Sequence, residues 1–295
     1  MKIEHSIALI TCWYGNYPWY FPYFIKSCSY NPTIDFIIVT DNVEEICARP
    51  CNVTVIHKAF QELKSQASLK LGINLNFTEP YKICDLKPAF GFLFEDFLKK
   101  YDFWGHTDID MVYGDIRGFI DSETLNEYDL ISASEYFVTG TFCLYRNNDF
   151  VKKLFMESKD YKNVFSNPKY LGFDECSFLF HELHVPGRTI FNYTNHIHSM
   201  THVVRKAEAE GRLKPLFEFY LFQTMTDKIR WDNGLIIYAN KIECLFYDLI
   251  KYKRLCKNKE VIYPIPNVFY FNEKGINKNS FWKLFFLRVL KRIKS

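Results

Sequence analysis

The chain has 295 residues, 48% hydrophobic and 24% charged, which is enough material for one large α/β domain or two small ones. A net charge of only +3 carries no electrostatic signature of nucleic-acid binding, so we expect no nucleic-acid partner. Nine scattered cysteines, a start unlike a leader peptide and no apolar stretch of membrane-spanning length predict a reduced, cytoplasmic protein.

The first third of the chain alternates short apolar runs with helical patterns. Residues 6–12, 35–41 and 53–57 are typical of buried strands, and residues 17–30 predict a helix that ends before Pro32. This alternation predicts an α/β fold with a mostly parallel, Rossmann-like sheet flanked by helices. The first strand is not followed by a Gly-x-Gly-x-x-Gly or Gly-Lys-Ser/Thr pattern, which excludes dinucleotide oxidoreductases and P-loop kinases.

A single helix is predicted over residues 86–100. Asp85 could cap its start, Pro88 is tolerated in a first turn, and Lys99 and Lys100 suit a helix C-terminus. A strand then follows, so the next polar residues lie at its carboxyl end, where open α/β sheets bind ligands.

Those polar residues are Asp108 and Asp110, separated by Ile109. On an extended backbone the two carboxylates point the same way, while Ile109 points into the protein. Such a pair offers hard oxygen ligands to Mg²⁺ or Mn²⁺ and leaves positions open for phosphate oxygens. Chance supplies about one Asp-x-Asp triplet in a chain of this length, so the surroundings must decide.

The remainder predicts further strands at 128–133 and 140–145, a helix from about Asp149, and a hairpin turn at Asp232-Asn-Gly before a strand at 235–238. We expect a single domain over 1–279, with a first half at about 1–120 and a second half at about 121–279. Residues 280–295 are aromatic and basic without acidic residues, which suits a helix lying on an anionic membrane, or an ordinary terminal helix.

Four motifs occur together in the first 180 residues. They are Tyr14-Gly-x-x-Pro-Trp-Tyr-Phe21, Lys87-Pro-Ala-Phe-Gly91, Tyr101-Asp-Phe-Trp-Gly-His-x-Asp-x-Asp110 and Gly172-Phe-Asp-Glu175. As a set they resemble a bacterial family of GT-A-fold glycosyltransferases found among polysaccharide-synthesis genes. The resemblance implies transfer of a sugar from a nucleotide sugar, with UDP as the first expectation, to a saccharide or lipid-linked acceptor at the cytoplasmic face of the inner membrane.

The resemblance also implies roles for single residues. Asp108 and Asp110 would bind Mn²⁺ or Mg²⁺ that bridges the donor diphosphate, with His198 as a candidate third ligand. The nucleoside would be contacted by Thr11, Tyr14, Gly15, Asp41 and Asn42. Asp85 and Lys87 would lie near the donor sugar and phosphates, where Lys87 replaces the more usual Arg.

Two further segments contain candidate site residues, and for each of them a purely structural role is the alternative. His106 could contact the donor or the metal, or it is a hydrogen-bonded histidine at a strand end. The Thr139-Gly140-Thr141 segment resembles the strand start that lines the sugar site in such enzymes, or it is a tight turn that needs glycine. Asp174 or Glu175 would take the proton of the acceptor hydroxyl, or Asp174 would simply cap a helix.

Two other functional classes remain open. Asp108-x-Asp110 also matches the opening motif of haloacid-dehalogenase-like phosphohydrolases, in which the first Asp is a nucleophile. That motif belongs near the N-terminus, whereas three predicted strands precede it here. A non-catalytic sugar-binding protein is the third possibility, and it leaves the acidic pair unexplained.

Overall fold

The computed structural model describes residues 5–222, 229–255, 261, 263–272 and 275–278. The predicted terminal helix at 280–295 lies outside these residues. The strands are β1 (Ile7–Trp13), β2 (Ile34–Thr40), β3 (Val53–His57), β4 (Phe103–Thr107), β5 (Met111–Tyr113), β6 (Leu130–Ser132), β7 (Phe142–Arg146), β8 (Pro215–Phe217), β9 (Leu221–Phe222), β10 (Ile229–Asp232), β11 (Leu235–Tyr238), β12 (Ile242–Cys244), β13 (Phe246–Asp248), β14 (Val268–Asn272) and β15 (Gly275–Asn277).

The described helices are mostly short. They are α1 (Phe21–Cys28), α2 (Phe60–Leu71), α3 (Phe90–Leu93), α4 (Glu95–Leu98), α5 (Ile116–Phe119), α6 (Ser122–Glu127), α7 (Asp149–Lys152), α8 (Tyr161–Ser166), α9 (Met200–Ala209) and α10 (Ile250–Leu255). Four 3₁₀ segments cover Pro80–Ala89, Leu154–Glu157, Glu182–His184 and Ile190–Asn192. None of the helices that the structure describes is long and apolar enough to cross a membrane.

The chain divides into two compact units made of interleaved segments. The first comprises Met1–Asn16, Thr33–Asp108 and Ile120–Phe219. The second comprises Tyr17–Pro32, Ile109–Phe119 and Tyr220–Ser295. The chain passes from one unit to the other at five points, one of which lies between Asp108 and Ile109.

A seven-stranded sheet forms the centre of the first unit, in the order β3-β2-β1-β4-β7-β6-β8. Strands β3, β2, β1 and β4 run parallel, β7 is antiparallel to both of its neighbours, and β6 pairs in parallel with β8. Residues Ile7 to Ile10 of β1 are at most 1% exposed, because a central strand covered on both faces needs a continuous apolar run. The predicted α/β fold with a mostly parallel sheet flanked by helices is confirmed.

The second unit contains two smaller sheets, ordered β12-β11-β10-β14-β15 and β5-β13-β9. Its core is aromatic: Trp231 stacks on Phe269 with ring centroids 4.9 Å apart and donates its indole N–H to the Tyr113 carbonyl at 2.9 Å. The predicted hairpin is confirmed, since Asp232 pairs with Leu235 around a two-residue turn. Asn233 and Gly234 both have positive φ, as this turn requires.

The single helix predicted over residues 86–100 is wrong. The chain instead forms the 3₁₀ segment Pro80–Ala89, then α3, then α4, with a break at Phe94. Pro88 has no N–H to donate and crowds the preceding turn, so a regular α-helix cannot run through it. Asp85 is consequently not a helix cap.

Two predictions of local backbone also fail. Asp108 follows the end of β4, as expected, but Ile109 and Asp110 form a turn rather than an extended strand. Residues 173–178 likewise form a run of turns, so no helix begins after Glu175. In that run Ser177 and Phe178 adopt positive φ values of 53° and 67°, which are incompatible with a right-handed helix.

Candidate active site

The candidate site of the first unit begins where β4 ends. Asp108 is the first residue beyond that strand, and its backbone N–H donates to the Thr141 carbonyl at 3.2 Å. The Lys87 ammonium donates to Asp108 Oδ1 at 2.6 Å and to the Gly140 carbonyl at 2.8 Å. The Lys87 side chain is 7% exposed and that of Asp108 is 31% exposed, so a buried cation holds a carboxylate that solvent can reach.

Lys87 remains charged despite this burial. Burial acts to lower its pKa, but the charge of the Asp108 carboxylate and its hydrogen bond with the ammonium act in the opposite direction. The balance raises the pKa of Lys87 well above its ordinary value. The ammonium is therefore a fixed positive charge next to Asp108.

Two further carboxylates, those of Asp174 and Glu175, lie near this ammonium. Asp174 Oδ2 is 3.9 Å from the Lys87 Nζ, and Asp174 is 1% exposed. The Tyr170 hydroxyl lies 2.9 Å from Asp174 Oδ1, to which it donates, and 3.4 Å from Glu175 Oε2. Glu175 Oε1 accepts the backbone N–H of Gly140 at 3.0 Å. The sequence-predicted Lys87, Asp108, Gly140, Asp174 and Glu175 are thus brought together.

The two neighbouring carboxylates favour holding a proton. Burial raises the pKa of Asp174 well above its usual range, and the charge of Glu175 raises it further. Burial also raises the pKa of Glu175, but the Gly140 N–H and then Lys87 oppose this rise. Because Glu175 receives the backbone hydrogen bond that stabilises its anion, we assign the retained proton to Asp174 and the anionic form to Glu175.

Glycine is required at position 140 because the carboxylates of Asp174 and Glu175 lie close to the backbone, and not because the backbone has positive φ. The φ of Gly140 is not positive. A Cβ at this position would lie 2.3 Å from Asp174 Oδ2 and 3.2 Å from the Glu175 Cδ. Only a residue without a side chain lets the backbone approach the carboxylate pair this closely.

The Asp85 carboxylate is bound by other groups of the protein. It pairs with the buried Lys82 ammonium at 2.6 Å and accepts the backbone N–H groups of Leu171 and Phe173 at 2.8 and 2.7 Å. Lys82 also donates to the Val164 carbonyl at 2.7 Å. The pair fastens the 3₁₀ segment to the loop that carries Asp174.

His106 and Thr139 are also held by the protein itself. His106 is fully buried, and its Nε2 lies 3.0 Å from the Thr139 carbonyl oxygen, to which it donates. The Thr139 hydroxyl donates to the Phe142 carbonyl at 2.5 Å and accepts the Ala133 N–H at 3.2 Å. Burial, with a contribution from the Lys87 charge, lowers the pKa of His106 to about 3. A neutral imidazole in this position supports the start of β7.

The candidate nucleoside residues lie at the carboxyl ends of β1 and β2. The Gly15 N–H donates to Asp41 Oδ1 at 2.9 Å, and Asn42 donates to the Gly15 carbonyl at 3.2 Å. Asp41 is exposed, and the ring of Tyr14 packs edge-on against Phe60 at 5.1 Å.

Thr11 differs from these residues. It is buried, and its hydroxyl donates to the Thr107 carbonyl at 2.9 Å. The structure therefore joins Gly15, Asp41 and Asn42, while the side chain of Thr11 is engaged inside the sheet.

Residues 9–281 match the model of a family described as a family of unknown function (DUF6625). The chain belongs to this family. No curated protein matches the sequence.

Two solved structures are similar over part of the chain. One is the galactosyltransferase LgtC in complex with donor and acceptor sugar analogues, with 16% identity and a TM-score of 0.34 over 54% of this chain and 64% of that one. The other is an active-site mutant of LgtC, with 16% identity and a TM-score of 0.36 over 53% of this chain and 65% of that one. The matched region spans just under two thirds of each of these structures.

For this member of the DUF6625 family, the fit of a divalent cation depends on the available oxygen donors. Asp108 Oδ1 accepts from Lys87, whereas Oδ2 has no hydrogen-bond partner among the residues that the structure describes. In the second unit, Asp110 accepts a hydrogen bond from Lys253. A half-exposed carboxylate with an oxygen available fits a hard cation that takes its other ligands from phosphate and water.

His198 has its own surroundings. Its backbone N–H donates to Asp160 at 2.7 Å, and its ring packs against that of His202 with centroids 4.9 Å apart. Over the described ranges of the chain, no three His, Cys, Asp or Glu side chains are grouped so that they could hold a metal ion. The structure does not bring His198 together with Asp108.

Lys82 and Tyr170, which contact the site residues, were not predicted from the sequence. Lys82 lies three residues before Asp85, and Tyr170 lies four residues before Asp174. Those spacings would place them on a common helical face, but in this chain the contacts arise from a 3₁₀ segment and a loop. The only indication of these two residues in the sequence was that each lies a few positions before a predicted motif.

Proposed function

We propose that this protein is a metal-dependent glycosyltransferase. It transfers a sugar from a nucleotide sugar, with UDP as the first expectation, to a saccharide or lipid-linked acceptor in bacterial surface-polysaccharide synthesis. The observation that carries the proposal is the arrangement around Lys87, whose buried ammonium contacts the accessible Asp108 and lies 3.9 Å from Asp174, which neighbours Glu175.

The donor diphosphate binds beside Asp108. A buried ammonium next to a solvent-accessible carboxylate supports this placement, because a phosphate oxygen arriving there meets a fixed positive charge. Lys87 can redirect one of its N–H groups from Asp108 to a phosphate oxygen while it keeps its bond to the Gly140 carbonyl. As a compact ammonium it makes single contacts, where an Arg would make paired ones.

Asp108 would hold Mn²⁺ or Mg²⁺ through its oxygen Oδ2. When bound, the ion neutralises the negative charge on the leaving diphosphate. The nucleoside lies at the Gly15–Asp41–Asn42 cluster, where the exposed Asp41 carboxylate can accept hydrogen bonds from a ribose or base. Tyr14 borders this cluster in sequence.

Glu175 takes the proton of the acceptor hydroxyl. Its charge is stabilised by the Gly140 N–H, and its Oε2 is the less strongly hydrogen-bonded oxygen of the carboxylate. Asp174 keeps its proton, which prevents two adjacent buried anions from repelling each other. Tyr170 contacts both carboxylates and fixes their positions relative to each other.

The experiment is a donor screen in which UDP-, GDP- and dTDP-sugars are incubated with the protein and Mn²⁺, and release of the nucleoside diphosphate is measured. We expect turnover of one donor, and we expect Glu175→Gln to lower it by about 10²–10⁴-fold while nucleotide binding persists. Glu127→Gln, which changes a surface ion pair with Lys214, is the matched control.

Turnover of none of the donors with either metal would contradict the proposal. Metal-dependent release of phosphate from a phosphomonoester, abolished by Asp108→Asn, would instead support a phosphohydrolase.

A further inference from the structure

Two exposed aromatic rings flank the residue that contacts both candidate carboxylates. Tyr81 is 66% exposed and Phe178 is 51% exposed. Each packs edge-to-face on Tyr170, with centroid distances of 5.0 and 5.6 Å. Tyr170 itself is half-buried, so the two outer rings present apolar surface to solvent around a polar centre.

The Tyr81 hydroxyl lies within electrostatic reach of the same site. Partial burial raises the pKa of Tyr81 to about 12, and the charges of Lys87 and Asp108 also affect this pKa. The aromatic rim and the carboxylates therefore belong to one local environment of the first unit.

The backbone that presents Phe178 is strained. Ser177 and Phe178 are consecutive non-glycine residues with positive φ, and a bulky residue in this conformation is uncommon. Gly172 also has positive φ, and a Cβ there would lie 3.4 Å from the Phe178 ring and 3.3 Å from the Ser177 Cα. Such strain persists when the surrounding structure imposes it, and it concentrates at functional sites. Here it holds a large apolar ring at the surface.

We propose that Tyr81 and Phe178 form a stacking platform for a pyranose ring of the acceptor saccharide, with Tyr170 and Glu175 as its polar floor. The inference rests on the proposed function and names the acceptor subsite. A pyranose has an apolar C–H face and a hydroxyl edge, which complement an aromatic ring beside a carboxylate. The two rings are separate and border charged groups, a pattern that suits a sugar better than the continuous apolar face of a protein partner.

The test is saturation-transfer-difference NMR on the full chain, with aromatic protons irradiated and a panel of methyl hexopyranosides as the probe. We expect transfer to the C–H protons of at least one probe. Tyr81→Ala and Phe178→Ala should each weaken its binding by roughly tenfold. Tyr81→Phe and Phe178→Trp should retain binding, because each keeps a ring.

Phe97→Ala is the matched control, since Phe97 is 47% exposed and lies in α4. It should bind the probe like the wild type, and unchanged melting temperatures show that each variant folds. Undiminished transfer in both alanine variants, or no transfer from any probe to the wild type, would overturn the platform.

Hydrolysis of the nucleotide sugar, measured without acceptor in the same variants, separates this inference from the proposed function. We expect the wild type and Phe97→Ala to hydrolyse the donor at the same rate, whereas Tyr81→Ala and Phe178→Ala bind the saccharide roughly tenfold more weakly than either. If Tyr81→Ala and Phe178→Ala lose donor hydrolysis as well as sugar binding, the assignment of these rings to the acceptor alone is wrong. Sugar binding without any donor turnover in the wild type would contradict the transferase while supporting the platform.

Discussion

At the scale of single residues, Gly140 determines how closely the carboxylates can approach the backbone. Its N–H anchors Glu175, its carbonyl accepts Lys87, and its missing side chain makes room for Asp174. The sequence pattern suggested a tight turn at this position. The requirement is a close approach, which depends on residues 34 and 35 positions away and is invisible to a local motif.

Gly140→Ala should therefore destabilise the protein by about 1–3 kcal/mol, because the new Cβ overlaps Asp174 Oδ2. Urea unfolding measures this loss. Adding Asp174→Ala to Gly140→Ala removes the atom that clashes, so the double variant should recover most of the lost stability. Strictly additive losses in the double variant would show that the overlap is not the cause.

His106 should make the protein less stable in acid. The buried imidazole has a pKa of about 3, against 6.5 for the free side chain. Between these values the unfolded chain binds a proton that the folded chain does not, so stability falls as the pH drops from about 6.5 towards 3. The loss attributable to this residue reaches up to about 5 kcal/mol at the lower limit.

His106→Gln keeps a donor for the Thr139 carbonyl but cannot be protonated. Its unfolding free energy should fall less steeply than that of the wild type between pH 6.5 and the acid limit, as measured by urea unfolding at a series of pH values. Parallel curves for the two proteins would exclude this assignment.

At the scale of elements, the segment Pro80–Ala89 depends on its buried ion pair. Burial raises the pKa of Asp85 and lowers that of Lys82, so desolvation outweighs the attraction between the two charges. The ion pair therefore fixes the position of the segment and does not add net stability. It fixes the segment that bears Lys87 against the loop that bears Asp174.

Asp85→Asn should cost about 3–5 kcal/mol, because it leaves the Lys82 ammonium buried without a counter-charge. Thermal and urea unfolding measure the change. Asp96→Asn, at an exposed pair with Lys99, is the control and should leave stability nearly unchanged, because solvent screens an exposed ion pair. Equal effects at the two positions would contradict the role of burial.

The elements that sequence predicted correctly are those with strong local signals. Strand β3 was predicted with its observed bounds, and β1 and β2 were predicted within one or two residues, because buried parallel strands are short continuous apolar runs. The helix over 86–100 was wrong because its apolar periodicity continues through Pro88, whereas tertiary contacts of Lys82 and Asp85 impose a 3₁₀ path.

At the scale of the whole molecule, the carboxyl end of β4 was predictable and the completion of the site was not. Asp108 was placed correctly after a strand of a largely parallel sheet. Its contact with Lys87, and the contact of Gly140 with Glu175, join segments 21 and 35 residues apart through loops. Loop geometry of this kind has no periodic signal in the sequence.

The proposed function requires that Asp108 helps to bind a nucleoside diphosphate together with a divalent ion. The direct measurement is thermal unfolding of the wild type and of Asp108→Asn with UDP, with Mn²⁺, and with both. Binding to the folded state alone raises stability by about 2.7 kcal/mol when ligand is present at 100 times its Kd. We predict that UDP and Mn²⁺ together raise the melting temperature of the wild type and of the Asp96→Asn control, but not that of Asp108→Asn. Equal stabilisation of Asp108→Asn, or no response of the wild type to UDP, GDP or dTDP with Mn²⁺ or Mg²⁺, would contradict it.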